Sequence, residues 1–333
     1  MSGFTIQMCQ IQTKSPDLPL TLLRRVNAVT GDSAILSSGF RPPRQCFINI
    51  GDTLLFDLQG HFKNYIISGK SYSKGYLVEG SNGEYVYLTY EERIELVKKA
   101  RELVPKDSGK IILAGSGCES TTATIDMSCK MAEAGADAVM VVTPCYYKNA
   151  MKGNFTQKKI ADINYIRNIA FIFDMSSTFP GIDLSPTVVA DLAQHENIIG
   201  MKESGGDITK IGTMLHQTKD ADFQILAGSA GFLLTALQLG CVGGVCALAN
   251  VLGEEVCRLQ SLFEEGNIQE AVALQYRLIG PNSAVTKQLG VSGLKQSMDW
   301  LSLYGGPTRA PILPLTQQET LSLRSVFEKN GFL

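Results

Sequence analysis

NIIGMKESGG, at residues 197–206, is the stretch that decides the fold: an apolar run ends in Lys202, and an acid, a serine and two glycines follow. An apolar run that stops abruptly at turn residues is typical of a strand buried on both faces of a parallel sheet. The helical pattern of residues 207–217 follows at once. From Tyr76 onward the same alternation recurs through about seven β/α units, which predicts a parallel α/β sheet.

Small or polar residues follow almost every predicted strand, at the end where the chain leaves it. They stand at 80–84, 115–120, 143–147, 174, 202–204, 228–229 and 250. In a (β/α)8 barrel this end of every strand borders one active site, whereas in an open doubly wound sheet ligands gather at a switch point. The pattern therefore favours a closed (β/α)8 TIM barrel.

Changes of pattern along the chain predict three segments. Residues 1–38 lack periodicity and form an N-terminal extension, which is either a transit peptide or a plain disordered segment. Residues 39–265 carry the barrel. Residues 266–333 show helical patterns only, which predicts a C-terminal helical appendix.

The composition excludes several classes of function. A net charge of −2 with mixed signs leaves no basic footprint for nucleic acid, so a small-molecule partner is predicted. Eight cysteines without a C-x-x-C pair and three scattered histidines predict neither a disulfide framework nor a metal site. The uncharged segment 223–253 is interrupted by polar residues and glycines, so we expect a buried strand–helix–strand series and no membrane span.

Lys202 is the leading candidate for chemistry, because it ends a buried strand and should project into the barrel mouth. Loss of hydration there lowers the pKa of a lysine and frees its amine as a nucleophile. An amine that condenses with a ketone creates an electron sink, which eases cleavage of an adjacent carbon–carbon bond. The alternative, a structural ion pair with Glu203 or with an acid of a neighbouring strand, has equal weight on the pattern alone.

Other strand ends carry weaker signals. The turn GSNGE at 80–84 offers backbone amides for a carboxylate, or it is an ordinary turn with Glu84 facing solvent. Tyr146 and Tyr147 are suited to relaying protons, to an interface or to simple loop packing. Ser204 and Gly228 are candidates for binding a substrate carboxylate or carbonyl.

Together the motifs GSNGE at 80–84, TPCYY at 143–147 and GMKESGG at 200–206 resemble, in order and spacing, those of the dihydrodipicolinate synthase and N-acetylneuraminate lyase superfamily. Within it, LAGSGCEST at 113–121 and GGVCALANVLG at 243–253 resemble its mitochondrial 4-hydroxy-2-oxoglutarate aldolase branch. The similarity is strong from Gly75 to the C-terminus and extends weakly back to Phe40.

The resemblance implies a role for each candidate residue. Lys202 would form a Schiff base with a 2-oxo acid. Four further residues would bind the substrate: Ser81, Asn82, Ser204 and Gly228. Tyr146 and Tyr147 match tyrosines that take part in proton transfer or in a subunit contact. The implied reaction is cleavage of 4-hydroxy-2-oxoglutarate to pyruvate and glyoxylate by a mitochondrial homotetramer that needs no metal or organic cofactor.

Asp174 departs from the family pattern, because it stands where the family has a catalytic tyrosine at the end of strand five. A carboxylate is normally ionised near pH 7 and would hold Lys202 protonated, whereas a buried Asp with a raised pKa would still relay protons. Two alternatives therefore stay open beside the aldolase. One is a catalytically impaired paralogue that binds 2-oxo acids or a sister subunit. The other is a different superfamily reaction, such as dihydrodipicolinate synthesis or sialic acid cleavage.

Strand one is the second departure, because the family's apolar and hydroxyl-rich run is absent. The nearest match, residues 40–47, carries Arg41 and Arg44. Either Gln45–Ile50 forms strand one in altered form, or the barrel stays open at this seam and exposes strand edges.

Overall fold

The computed structural model describes residues 73–147, 182–195 and 197–333, together with the backbone of the strands at 45–50 and 170–174. The predicted N-terminal extension at 1–38 and the two arginines of the strand-one region lie outside the described residues. Residues 155–166, whose pattern predicts a helix, lie outside them as well. The three-segment division of the chain stays a prediction.

Eight parallel strands form a closed barrel in which each strand neighbours the next in sequence. They are β1 (Gln45–Ile50), β2 (Gly75–Val78), β3 (Ile111–Gly115), β4 (Ala138–Val142), β5 (Ala170–Asp174), β6 (Ile198–Glu203), β7 (Gln224–Ala227) and β8 (Gly243–Cys246). The prediction of a TIM barrel is confirmed. Strand β1 pairs with both β2 and β8, so the altered strand one closes the seam and the open-seam alternative is wrong.

Nine α-helices lie in the described part of the chain. They are α1 (Tyr90–Leu103), α2 (Thr121–Glu133), α3 (Pro186–Leu192), α4 (Ile208–Gln217), α5 (Leu233–Leu239), α6 (Gly253–Glu264), α7 (Ile268–Ser283), α8 (Gly290–Trp300) and α9 (Gln317–Lys329). Side-chain caps fix several starts: Thr89 forms a capping box with Glu92 before α1, and Asp207 accepts from the Lys210 amide before α4.

Side chains alternate between two apolar layers along the strands. Leu77, Leu113, Met140 and Leu226 belong to a cluster of strand side chains inside the barrel. Their strand neighbours, Met201 on β6 among them, belong to the larger cluster between the barrel and the helices. Because both faces are buried, the strands are apolar throughout, and this produced the continuous apolar runs in the sequence.

The C-terminal region departs from the predicted helix bounds. Helix α7 was predicted over 268–278, but it continues through Pro281 to Ser283. Its side chains bond to the loop after β7: Gln275 accepts from the Leu234 amide and donates to the Ala230 carbonyl. The helical pattern of residues 285–303 has interruptions at Gly290 and Gly293, and it forms a π-helix at Ala284–Gln288 followed by α8.

The uncharged segment 223–253 forms β7, α5 and β8, as predicted. In the ranges that the structure describes, no helix combines the length and the apolar character that crossing a bilayer requires.

Candidate active site

Lys202 lies near the carboxyl end of β6, within the barrel. Its neighbour Met201 faces the helices, so the alternation of side chains along a strand turns Lys202 inward. Its register partner on β7, Leu226, belongs to the inner apolar cluster. The side chain is buried, with Lys202 only 5% exposed.

Burial lowers the pKa of Lys202 from 10.5 to about 8, because the charged ammonium loses its hydration there. The nearby thiol of Cys246 opposes this shift, and burial raises the pKa of that thiol to about 12. A lysine with such a pKa is partly neutral near physiological pH, so its amine can act as a nucleophile.

Glu203 follows Lys202, but its carboxylate binds the turn after β6. Its two carboxylate oxygens accept hydrogen bonds from the Gly205 amide at 2.7 Å and the Gly206 amide at 3.0 Å. Burial raises the pKa of Glu203, and these two bonds oppose the shift. Because successive strand residues face opposite sides, this geometry does not support the alternative in which Lys202 exists to pair with Glu203.

Ser204 and Gly228 meet where β6 and β7 end. The Gly228 amide donates to the Glu203 carbonyl at 2.6 Å. A Cβ atom on Gly228 would lie 2.0 Å from Ser204 Oγ, so only glycine fits here. Ser204 Oγ is buried and makes no hydrogen bond within the described residues, which leaves it available to a ligand. The structure thus brings these two predicted site residues together.

Ser81 and Asn82 form a tight turn directly after β2. The turn Ser81–Gly83 is closed by a hydrogen bond of 2.8 Å from the Gly83 amide to the Gly80 carbonyl. Both side chains are half-buried, whereas Glu84 after them is fully buried. The alternative in which Glu84 faces solvent is therefore wrong. In an eight-stranded barrel β2 stands opposite β6, so the turn lies across the mouth from Lys202.

A cleft beside this turn is lined by residues of β2, β3 and β4, and by Glu79, Ser81 and Tyr85 from the segment after β2. At its base Arg93 of α1 donates to Glu79 Oε2 at 2.7 Å and to the Gly115 carbonyl at 2.5 Å. Burial raises the pKa of the Glu79 carboxyl to about 8, with the Arg93 guanidinium acting in the opposite sense. The pair ties α1 to the ends of β2 and β3, and Lys202 is not among the residues that line this cleft.

Tyr146 and Tyr147 follow β4 and are exposed, at 77% and 66%. Their rings stack edge to face with centroids 4.9 Å apart. The loop that carries them is held by Glu119, whose carboxylate accepts from the amides of Cys145 and Tyr146. Both tyrosines are therefore at the rim of the mouth, and their role in proton transfer or in a subunit contact stays a prediction.

Asp174 is the last residue of β5, in register with Glu203 on β6. The Asp174 backbone therefore lies one residue further toward the mouth of the barrel than the backbone of Lys202, at the rim where the other candidate residues are found. Its side chain lies outside the described residues, so its effect on Lys202 stays a prediction.

Several charged residues that support the mouth were missed from the sequence, namely Arg93, Glu119, Lys295 and Arg309. A signal existed for Arg93, because Leu96, Val97 and Ala100 place it on the buried face of α1 by helical spacing. We find no local pattern that marks the other three, since their partners are distant in sequence.

Comparisons with known proteins identify the family of the chain. A family model described as the dihydrodipicolinate synthetase family matches residues 61–330. A 4-hydroxy-tetrahydrodipicolinate synthase of Methanoculleus marisnigri is 31% identical over 255 residues, which cover 76% of this chain and 85% of that protein. A protein of the same name from Clostridium perfringens is 28% identical and covers 83% of this chain and 91% of its own length.

Solved structures share the barrel. The crystal structure of a dihydrodipicolinate synthase from Bacillus anthracis is similar with a TM-score of 0.77 and 26% identity, over 85% of this chain and 97% of that one. A dihydrodipicolinate synthase from Thermotoga maritima, at 22% identity and a TM-score of 0.79, shows the likeness of the fold alone, over 87% of this chain and 99% of that one. Because the family model spans nearly the whole barrel and the C-terminal helices, the chain belongs to the dihydrodipicolinate synthetase family.

Proposed function

We propose that the protein is a Schiff-base carbon–carbon lyase that cleaves 4-hydroxy-2-oxoglutarate to pyruvate and glyoxylate. The observation that carries the proposal is the burial of Lys202 near the carboxyl end of β6, with its pKa lowered to about 8. Membership in a family of lyases and synthases supports the general chemistry. The choice of substrate rests on the aldolase-like segments at 113–121 and 243–253.

The proposed chemistry begins when the neutral amine of Lys202 attacks the C2 carbonyl of the 2-oxo acid. Loss of one water leaves a protonated imine, which draws electrons from the C3–C4 bond. That bond breaks as the C4 hydroxyl loses its proton, so glyoxylate departs and an enamine of pyruvate remains. Protonation at C3 and hydrolysis by one water then release pyruvate and restore the amine.

Substrate binding would span the mouth of the barrel. The turn that carries Ser81 and Asn82 would hold the carboxylate next to the ketone, opposite Lys202 across the barrel. Ser204 Oγ and the backbone at Gly228 would bind the remaining polar groups near β6. In this proposal the substrate contacts β2, β6 and β7 together, as in other barrels whose site is built from several strand ends.

Borohydride trapping tests the proposal directly. We expect pyruvate and borohydride to leave a reduced adduct on the peptide that contains Lys202, and Lys202→Met to leave none there. Peptide mass analysis of the folded protein provides the measurement. A folded wild-type protein that yields no adduct at Lys202 would remove the enzyme proposal.

A synthase is the second candidate, and the names of the relatives favour it, since several of them are called 4-hydroxy-tetrahydrodipicolinate synthase. Such an enzyme would use the same pyruvate adduct, but it would join the enamine to an aldehyde. A panel of substrates separates the two candidates. Release of glyoxylate from 4-hydroxy-2-oxoglutarate supports the lyase, whereas turnover only with pyruvate and an aldehyde acceptor supports the synthase.

An impaired paralogue is the third candidate, and Asp174 at the rim end of β5 favours it. A protein of this kind would bind 2-oxo acids or a sister subunit without rapid turnover. The test compares wild type with Asp174→Tyr in the cleavage assay. Good turnover by wild type contradicts this candidate, and turnover by Asp174→Tyr alone supports it.

We further propose a homotetramer in mitochondria, as the aldolase-like segments imply. The exposed rings of Tyr146 and Tyr147 are consistent with a subunit contact at the mouth. Light scattering at micromolar concentration would measure the mass, and Tyr147→Ala should lower it if the contact exists. Imaging of the tagged protein in cells, with and without residues 1–38, would test its location.

A further inference from the structure

Glu84 is a buried acid in an unusual backbone conformation. It directly follows the Ser81–Gly83 turn, it is only 1% exposed, and its φ of 57° lies in the left-handed region. A non-glycine residue adopts this conformation only where its surroundings impose it. We therefore attribute the left-handed conformation of Glu84 to the contacts of its carboxylate.

The C-terminal region contacts both oxygens of that carboxylate: Oε2 forms an ion pair without hydrogen-bond geometry, and Oε1 accepts a hydrogen bond. Lys295 of α8 places its Nζ 2.5 Å from Glu84 Oε2. The Arg309 amide donates to Glu84 Oε1 at 2.8 Å, from a position 225 residues away in sequence. Two distant segments thus converge on one side chain next to the turn.

Each of these partners is itself anchored. Lys295 is 6% exposed and also donates to the Pro307 carbonyl at 2.7 Å. The Arg309 guanidinium makes a fork of two hydrogen bonds, of 2.7 and 3.1 Å, to Glu92 in the first turn of α1. This pairing holds the pKa of Glu92 below its usual range. The contacts therefore join α8, the segment at 305–309 and the start of α1 around Glu84.

The segment after α8 approaches that helix too closely for an ordinary residue. A Cβ atom on Gly305 would lie 2.0 Å from the Lys295 carbonyl oxygen. The Gly305 amide donates to Asp299 of the same helix at 2.9 Å. Helix α8 also lies beside the Ser81–Gly83 turn. The C-terminal region is thus packed against the turn as well as bonded to the residue that follows it.

We propose that Lys295 is a positioning residue that fixes the Ser81–Gly83 turn through Glu84, and that the C-terminal region thereby shapes the substrate-binding side of the mouth. A buried carboxylate requires a charged or hydrogen-bonding partner, so Glu84 must turn inward toward Lys295. The left-handed bend that results orients the turn preceding it. The inference rests on the proposed function only in so far as that turn binds the substrate carboxylate.

Lys295→Met removes the ammonium while keeping most of the side-chain volume. We expect faster hydrogen–deuterium exchange in the peptide that spans residues 81–88, whose turn amides include those of Gly83 and Tyr87. In borohydride trapping, the pyruvate concentration for half-maximal adduct should rise about tenfold, which corresponds to about 1.4 kcal/mol of lost binding free energy. The maximal adduct at saturating pyruvate should stay unchanged, because Lys202 stands on the opposite strand.

Two further variants accompany Lys295→Met: a control on the same region and a replacement in case Lys295→Met does not fold. Arg324→Gln removes an exposed ion pair on α9 of the same region, so both readouts should keep their wild-type values. If Lys295→Met does not fold, the double variant Glu84→Gln with Lys295→Met leaves no unpaired buried charge, and its peptide 81–88 should still exchange faster than in wild type. Wild-type exchange and wild-type half-saturation in a folded Lys295 variant would overturn the positioning role.

The two proposals fail in different ways. If wild-type protein forms no adduct with pyruvate, the proposed function fails, and exchange in residues 81–88 alone decides whether Lys295 holds the turn. If wild type forms the adduct and Lys295→Met leaves the turn and the half-saturation unchanged, only the positioning role fails.

Discussion

The rate at which pyruvate becomes trapped on Lys202 should depend on pH with a midpoint near 8. Burial lowers the pKa of this amine from 10.5 to about 8, and only the neutral amine attacks a carbonyl. At pH 7 a group with a pKa of about 8 is roughly 10% neutral, whereas an ordinary lysine is about 0.03% neutral. The barrel therefore gives Lys202 a roughly 300-fold larger reactive fraction.

The assay measures the initial rate of adduct formation with pyruvate and cyanoborohydride at a series of pH values from about 6 to 10. The rate should rise about tenfold per pH unit below 8 and then level off. Exposed Lys130 provides an internal control in the same digest, because its hydrogen bond to Asp126 raises its pKa. Its adduct should still be increasing at the upper end of the range.

A midpoint of 10 or above for Lys202 in folded wild-type protein would refute this account of the amine. The companion variant Asp174→Asn then distinguishes between two causes of such a high midpoint. If the midpoint then falls to about 8, the Asp174 carboxylate holds the amine protonated in wild type, as expected of an impaired paralogue. If it stays high, burial does not lower the pKa of Lys202.

Three further changes test the stability of the same region by urea denaturation. Lys202→Met should raise the free energy of unfolding at pH 7 by up to about 3 kcal/mol, because a folded-state pKa of about 8 against 10.5 costs stability at every pH below 8. The gain should shrink as the pH rises from 8 through 10.5. A loss of stability at pH 7 would contradict the burial argument. Gly228→Ala should destabilise the protein by about 1–3 kcal/mol, since its Cβ would lie 2.0 Å from Ser204 Oγ. Gly212→Ala is the control and should be neutral or stabilising, because its Cβ would meet only Leu239 at 3.8 Å. Thr89→Ala should cost about 1 kcal/mol through loss of the α1 cap, and an unchanged midpoint would show that Glu92 alone maintains the helix start.

Much of the barrel could be predicted because its signals are local. A strand buried on both faces must be apolar along its length, so β4 and β6 were visible as short apolar runs that end in turn residues. The cap at Thr89 is an equally local signal, since a side-chain oxygen satisfies a backbone amide two or three residues later.

Helix ends and charged supports could not be predicted in the same way. Pro281 marks a helix end by local rules, yet α7 continues past it, and Gln275 of the same helix accepts a hydrogen bond from Leu234 of α5. Lys295 and Glu84 lie on elements far apart in the chain, and each alone is an ordinary charged residue. Only their proximity in the fold reveals a buried pair, because the free energy of a charge depends on its surroundings.

The sequence by itself determined the alternation of strands and helices, the position of Lys202 at a strand end and the family that its motifs resemble. Only the folded chain shows that Gln45–Ile50 closes the barrel against β8, that Lys202 is buried, and that the C-terminal region binds Glu84 beside the Ser81–Gly83 turn. The physical reason is the range of the interactions. Periodicity and capping act within a few residues, whereas strand closure, desolvation and buried ion pairs depend on segments that meet only after folding.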